Sequence, residues 1–460
     1  MCSSDLKRTP ILAATEADAA TAAWPASSLG PAAHGHVALA FDRRDDALAQ
    51  FTAATALDAP YRGWMGLART RYVLGDFAGA AAALDQLGDL PRTRVAALRL
   101  RANLARVAAD WPTLLGLEDA ILDATPGGDY RRRDQLDRAS ALVASGARDA
   151  GIEQYRAVWR EIADDEEGQF ARAVLDHVER GGEGRRVTLP AFPTVTQKRN
   201  YCGPASLELV LRAHGIAVDQ DAIAPAVKRD SGSPLVAMTR YLEGRGLATR
   251  RFESTPARLA ACLDLGLPVI VQEEYSITSH VAVVIGVDLG LGLLAVQDPM
   301  THVPSERLIA TQTSLSAMYR GAAIVAVPAD DATRLAALDA ADVLDQRHLR
   351  LVDECADPAV RDQVLQVVER CDAALALVED YPLAWYQRTA ALWRQATRSR
   401  TKVDRARFVT ALFRARVRYP AHEWPHLLHA DLLMDDGRWD EALIELAAAL
   451  VCDPHDRHPA

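Results

Sequence analysis

Between residues 64 and 91, WMGLARTRYVLGDFAGAAAALDQLGDLP, large and small side chains fall where two antiparallel helices need them to close on each other. Trp64, Leu67, Tyr72 and Phe77 can fill the groove between the helices, with Pro91 at the end of the unit. Gly75 permits the tight turn, and Ala80 lets the backbones approach. The stretch 45–60 reads as the second half of an earlier unit, because its Ala47 precedes Ala80 by 33 residues. Residues 430–454 form another copy, with Gly437, Trp439, Ala442, Ala449 and Pro454 in register. Such a unit cannot bury its apolar side alone and must stack on its neighbours. The pattern weakens around 95–180 and 340–420, and a generic helical bundle is the competing reading of all these repeats.

These offsets resemble the tetratricopeptide repeat. The resemblance implies a helical solenoid whose concave surface holds a peptide or protein partner, without naming it. Composition divides the chain into an undefined segment at 1–33, helical repeats at 34–182, a different zone at 186–329 and helical repeats again at 332–460. The glycine-rich RGGEGRR (180–186) and VPADD (327–331) mark the junctions.

Length and charge narrow the function classes. The chain has 460 residues, 49% hydrophobic and 25% charged, which excludes a mainly disordered or fibrous protein. Its formal net charge of −10 disfavours nucleic acid as a partner. Six cysteines at 2, 202, 262, 355, 371 and 452 form no CxxC pair, so a reducing compartment fits better than a disulfide framework. Asp5, Lys7, Arg8, Glu16 and Asp18 interrupt any apolar core of signal-peptide length near the start, and no stretch reads as a membrane span. The expectation is a cytoplasmic protein.

The chemistry lies in the middle zone. In QKRNYCGPASLELVLRAHG (197–215) an apolar helical pattern starts just after Cys202 and ends at Gly215, with Pro204 suited to the first turn. Cys202 is thus expected at a helix N-terminus, where unpaired N–H groups and the helix dipole favour a thiolate. The runs 267–276, 279–288, 293–299 and 321–328 read as buried strands. His280 opens the second and Asp298 closes the third. In an antiparallel meander they share one rim of the sheet, where an imidazole can take the thiol proton and a carboxylate can orient it. Gln197, five residues before Cys202, can donate with the Cys202 N–H to an oxyanion.

Gln197, then CGPAS opening a helix, then a strand-borne His and an Asp-Pro, resemble the papain-fold cysteine peptidases. The likeness is strongest to the branch that processes bacteriocin double-glycine leaders. It implies an α+β papain-like domain between two all-α repeat regions, with Cys202 as nucleophile, His280 as general base and acid, Asp298 as orienter and Gln197 as oxyanion donor. The chain departs from those processors in having no membrane span and no phosphate-binding GxxxxGK[ST] loop, so a double-glycine substrate is not implied.

Other candidates read as structural. Cys262 sits in an apolar helical run, and Cys355, Cys371 and Cys452 in helical zones; all four read as packing residues. His302 is at most a groove residue. His422, His426 and His429 have helical spacing, but a helix starting at Pro425 leaves His422 outside, and no carboxylate or cysteine partner is near in sequence. Ser206 lacks the elbow context of a serine nucleophile. The first reading is therefore a cysteine peptidase needing no metal or organic cofactor, acting on a peptide or protein substrate. A non-catalytic peptide-binding scaffold and a thiol-dependent acyl or peptidyl transferase stay open.

Overall fold

The fold is that of a computed structural model, which describes residues 5–452 except 89, 128–129, 162–165, 182–183, 190–191, 230–231, 276–277, 301–303, 309–321, 337–350, 353, 356–359, 361 and 421. Helices α1 (Asp5–Ala23), α2 (Leu29–Ala40), α3 (Arg44–Thr55), α4 (Tyr61–Val73), α5 (Phe77–Asp85), α6 (Pro91–Val107), α7 (Trp111–Ala124), α8 (Arg131–Ala144), α9 (Arg148–Glu161) and α10 (Glu166–Glu179) come first. Then follow β1 (Arg186–Thr188), α11 (Cys202–Ala213), α12 (Gln220–Val227), α13 (Leu235–Glu243), β2 (Leu247–Glu253), α14 (Pro256–Asp264), β3 (Val269–Tyr275), β4 (Thr278–Asp288), β5 (Leu293–Gln297), β6 (Pro304–Leu308) and β7 (Ala322–Pro328). The chain closes with α15 (Val364–Leu377), α16 (Pro382–Ser399), α17 (Lys402–Arg418), α18 (Trp424–Asp435) and α19 (Trp439–Cys452). It is thus mostly helical, with an antiparallel sheet region in its middle zone.

Two compact units result. The first comprises Met1–Arg186, Pro193–Asn200 and Asp288–Leu308. Here α2–α3, α4–α5, α6–α7 and α8–α9 pack as successive helical hairpins. Each turn holds one residue in the left-handed region: Asp42, Gly75, Ala109 and Gly146, spaced by 33, 34 and 37 residues. After the turn, Asp76 and Asp110 cap the second helix of their hairpins by accepting from the N–H groups of Gly79 and Thr113. The repeat therefore continues through 95–180, where its sequence signal fades. Segment 1–33, undefined by pattern, contains α1, which packs on α2. At the core of the first hairpins Phe51 is fully buried, and a Cβ at Gly35 would lie 2.7 Å from its ring. Strands β5 and β6 form an antiparallel hairpin in this unit. Leu291 and Leu293 pack with Tyr155 and Val174 of α9 and α10.

The second unit comprises Val187–Phe192, Tyr201–Val287 and Ile309–Ala460. Its sheet runs in the order β2, β7, β3, β4, with antiparallel neighbours. Strand β7 is a continuous apolar run and β3 opens with one, Val269–Val271, as burial on both faces requires. Helix α11 is apolar on almost every side, with Leu207, Leu209 and Leu211 fully buried. Among α15–α19, Phe408 and Leu412 pack with Trp424 and Leu428. The turns between α16 and α17 and between α18 and α19 again carry a left-handed residue, Arg400 and Gly437. Among the described residues no helix is long and apolar enough to cross a membrane.

Candidate active site

Cys202 is the first residue of α11, with Tyr201 as its N-cap. Gly203 follows because a side chain there would collide with Ser233. Gly215 ends the segment with φ +75°, as the sequence indicates. His280 is the third residue of β4 and only 7% exposed. Its Cα pairs across the β3–β4 ladder with Glu273.

The fold brings these two residues together. Burial pushes the Cys202 thiol up, but this is outweighed by the hydrogen bond from His280, the imidazole charge, and the N–H groups of Val281 and Gly203. The net result is a thiol below its ordinary value of 9.0. Cys262 has no such partner among the described residues, and burial pushes it up to about 12. The contrast separates a thiol poised for nucleophilic chemistry from one that packs.

Ser206, which lacks the context of a serine nucleophile, has another task here. Fully buried one turn beyond Cys202, it donates from Oγ to the Val281 carbonyl at 3.0 Å. That bond ties α11 to β4 one residue after His280. Nothing in the local sequence reveals it, because the partners lie 75 residues apart.

Gln197 and Asp298 both fall in the first unit. The Gln197 N–H donates to the Pro299 carbonyl at 2.7 Å, so the two segments are laced together. Gln197 is half-buried, and its Oε1 is buried with no hydrogen-bond partner among the described residues, an unusual state for a buried amide oxygen. Asp298 follows β5 directly, is 5% exposed, and accepts the Met300 N–H at 2.8 Å through Oδ1.

The remaining candidates sort as follows. Cys262, Cys355 and Cys371 are fully buried, and the Sγ atoms of the last two lie 3.7 Å apart. His302 lies outside the described residues. The three histidines near 425 need a correction, since a carboxylate partner does exist. Glu445 of α19 meets His426 Nδ1 at 2.7 Å and His429 Nδ1 at 2.9 Å, and accepts from Arg416 at 3.0 Å. It comes from the partner helix of the hairpin, which sequence proximity cannot show. His422 lies before α18 and outside this cluster.

A half-buried cysteine at a helix N-terminus, hydrogen-bonded to a strand-borne histidine beside an antiparallel sheet, resembles the arrangement of papain-like cysteine peptidases. Residues 190–321 match the family described as Peptidase_C39 like. Among solved structures, the peptidase domain of Streptococcus ComA, a bi-functional ABC transporter involved in a quorum sensing pathway, is 20% identical. That match covers 30% of this chain and 98% of that one, with a TM-score of 0.26. Yeast Tom70 is 10% identical over 93% of this chain and 76% of its own, with a TM-score of 0.23. The structure of Naa15/Naa10 bound to HypK-THB matches at 14% identity over 99% of this chain and 64% of its own, with a TM-score of 0.28. No curated protein sequence matches.

Proposed function

We propose that the protein is a cysteine peptidase whose helical repeats at 34–182 and 332–460 present a peptide or protein to a thiol site within 186–329. The observation that carries this reading is the hydrogen-bonded Cys202–His280 pair with its lowered thiol. In the proposed reaction the Cys202 thiolate attacks a peptide carbonyl carbon, a C–S bond forms, and the carbonyl electron pair moves onto oxygen. The Gln197 side chain and the Cys202 N–H donate to that oxyanion. The tetrahedral adduct collapses as protonated His280 gives its proton to the departing amine and the C–N bond breaks. His280 then takes a proton from water, which attacks the thioester and frees the acid and the thiol. Asp298 orients the imidazole. These roles for Gln197 and Asp298 rest on chain order and on the family resemblance. The four free cysteines among the described residues suit a reducing, cytoplasmic setting.

Selective alkylation tests the reading. Iodoacetamide at mildly acidic pH labels Cys202 well before the other five cysteines, and His280→Ala abolishes that preference. Equal labelling of all six thiols would favour a binding scaffold over an enzyme.

A further inference from the structure

Two other sulfurs meet in the C-terminal helical region. Cys355 and Cys371 lie sixteen residues apart in the chain, are both fully buried, and set their Sγ atoms 3.7 Å from each other. Cys371 sits in the middle of α15, and Cys355 comes from the segment before it. Val367 and Ala391 are the buried apolar residues packed with them. Their chain neighbours Glu354 and Arg370 form an ion pair at 3.2 Å, with side chains 32% and 28% exposed. The segment 351–355 is thus held to α15 twice, by charge at the surface and by sulfur one side chain beneath it.

The two thiols are also polarised differently. A thiol has one hydrogen to donate. Cys355 gives its own to the Leu351 carbonyl at 3.2 Å, which leaves Cys371 to donate to the Cys355 sulfur. That bond holds the Cys355 thiol below its ordinary value of 9.0 against the push of burial, and it raises the Cys371 thiol well above it, with burial adding to the rise. Packing alone does not call for such a contact, since a buried cysteine fills space as a small apolar residue without a second sulfur beside it.

From this contact we infer that Cys355 and Cys371 form a modification site, at which a hydroperoxide converts the thiol pair into a disulfide that fastens the segment 351–355 to α15. In the first step the Cys355 sulfur attacks one peroxide oxygen, the O–O bond breaks, and a sulfenic acid and water result. The Cys371 sulfur then attacks the sulfenic sulfur and an S–S bond forms. The sulfenic oxygen leaves as water with the Cys371 proton. Two thiols lose two electrons and two protons, and hydrogen peroxide is reduced to two waters. In a reducing compartment such a bond is transient and reports oxidant. Cys202 takes no part, so the inference stands apart from the peptidase reading.

The test uses full-length Cys202→Ser protein, in which the thiol of the candidate active site is absent. Hydrogen peroxide is added to the folded protein, which is then unfolded in N-ethylmaleimide to block the remaining thiols. The unreduced tryptic digest is read by mass spectrometry. Trypsin places Cys355 in 351–361 and Cys371 in 371–388, so the bond appears as these two peptides joined, lighter than their sum by two hydrogens. The linked species outweighs every other cysteine pairing and disappears with dithiothreitol. The oxidised protein melts on the order of 5 °C higher than the reduced one, and Cys355→Ala and Cys371→Ala each remove that rise. Two separately blocked thiols, linkage only when peroxide is added in urea, or preferential linkage of either cysteine to Cys2, Cys262 or Cys452 overturns the inference. A linked protein that melts no higher is not fastened, and overturns it too.

Discussion

Arg44 donates from Nη2 to the carbonyl oxygen of Gln197 at 3.1 Å, across 153 residues of chain. Two residues earlier, Asp42 accepts the Arg199 N–H at 2.5 Å through Oδ2. Asp42 is also the left-handed residue of the α2–α3 turn. The segment carrying Gln197 is therefore held by a helical hairpin of the repeat region.

This tether predicts a kinetic effect at a distance. With Gln197 as the proposed oxyanion donor, Gln197→Ala should lower kcat by about 10²–10³-fold, the usual result of losing one such donor. Arg44→Ala, which removes the donor to the Gln197 carbonyl together with an ion pair to Asp42 at 3.4 Å, should lower kcat by less while leaving Cys202 alkylation at wild-type rate. A simple folding defect would depress both readouts together.

Ser206→Ala should act on the Cys202–His280 pair. The substitution leaves the Val281 carbonyl without the donor that Ser206 supplies at 3.0 Å. Loss of such a partner in the core costs about 1–3 kcal/mol, measurable by urea unfolding. Cys202 alkylation at mildly acidic pH should also slow, because the bond fixes the strand that carries His280. Unchanged alkylation would reduce Ser206 to a packing residue.

The alkylation pH profile follows from the thiol environment. In the wild type the Cys202 midpoint lies below the ordinary thiol value of 9.0, because donors to the sulfur outweigh burial. His280→Ala removes the leading donor and leaves burial opposed only by backbone N–H groups, so the midpoint moves up. The Cys262 midpoint, pushed up to about 12 by burial, should not move.

What the sequence discloses depends on whether a signal is local. Helix α11 and strands β3, β4, β5 and β7 are legible because their apolar runs are bounded by Gly, Pro or charge. Strand β2 is not: Arg250, Arg251 and Glu253 disguise it, although Arg251 is only 6% exposed. Strand β6, PSERL, takes its identity from its ladder with β5 rather than from its own pattern. The repeats fade in sequence where Ala109 and Arg400 adopt the left-handed turn that Gly75 and Gly437 announce elsewhere. At the site, residue types and order point to Cys202 and His280, but Ser206, Arg44 and Asp42 act through partners 75 to 157 residues away.

Gly66 tests how tightly the first hairpins close. It lies inside α4 against the fully buried ring of Phe51, and a Cβ there would lie 2.0 Å from the ring's Cδ1. Gly66→Ala must therefore displace Phe51 or spread α3 from α4. Overpacking of this kind costs about 1–3 kcal/mol, despite the better helix propensity of alanine. Gly75→Ala meets no neighbour and suffers only from its φ of +79°, so thermal melts should show the smaller loss there.

Glu118 gives the stability of the repeat region a pH dependence. It is 3% exposed on α7, and its Oε1 accepts from Arg106 at 3.0 Å. Burial raises its pKa to about 7, against the opposing pull of Arg106 and with a further push from Asp137 and Asp134. Between 4.5 and about 7 the folded protein thus holds a proton that the unfolded chain has lost. Stability contributed by this residue falls as pH rises through that window and stays low above it, by on the order of 3 kcal/mol. Glu118→Gln, a neutral near-isostere, should therefore melt higher than wild type at pH 8 and alike at pH 5. A variant that melts lower at pH 8 would mean that the ion pair with Arg106 outweighs the burial of the carboxylate.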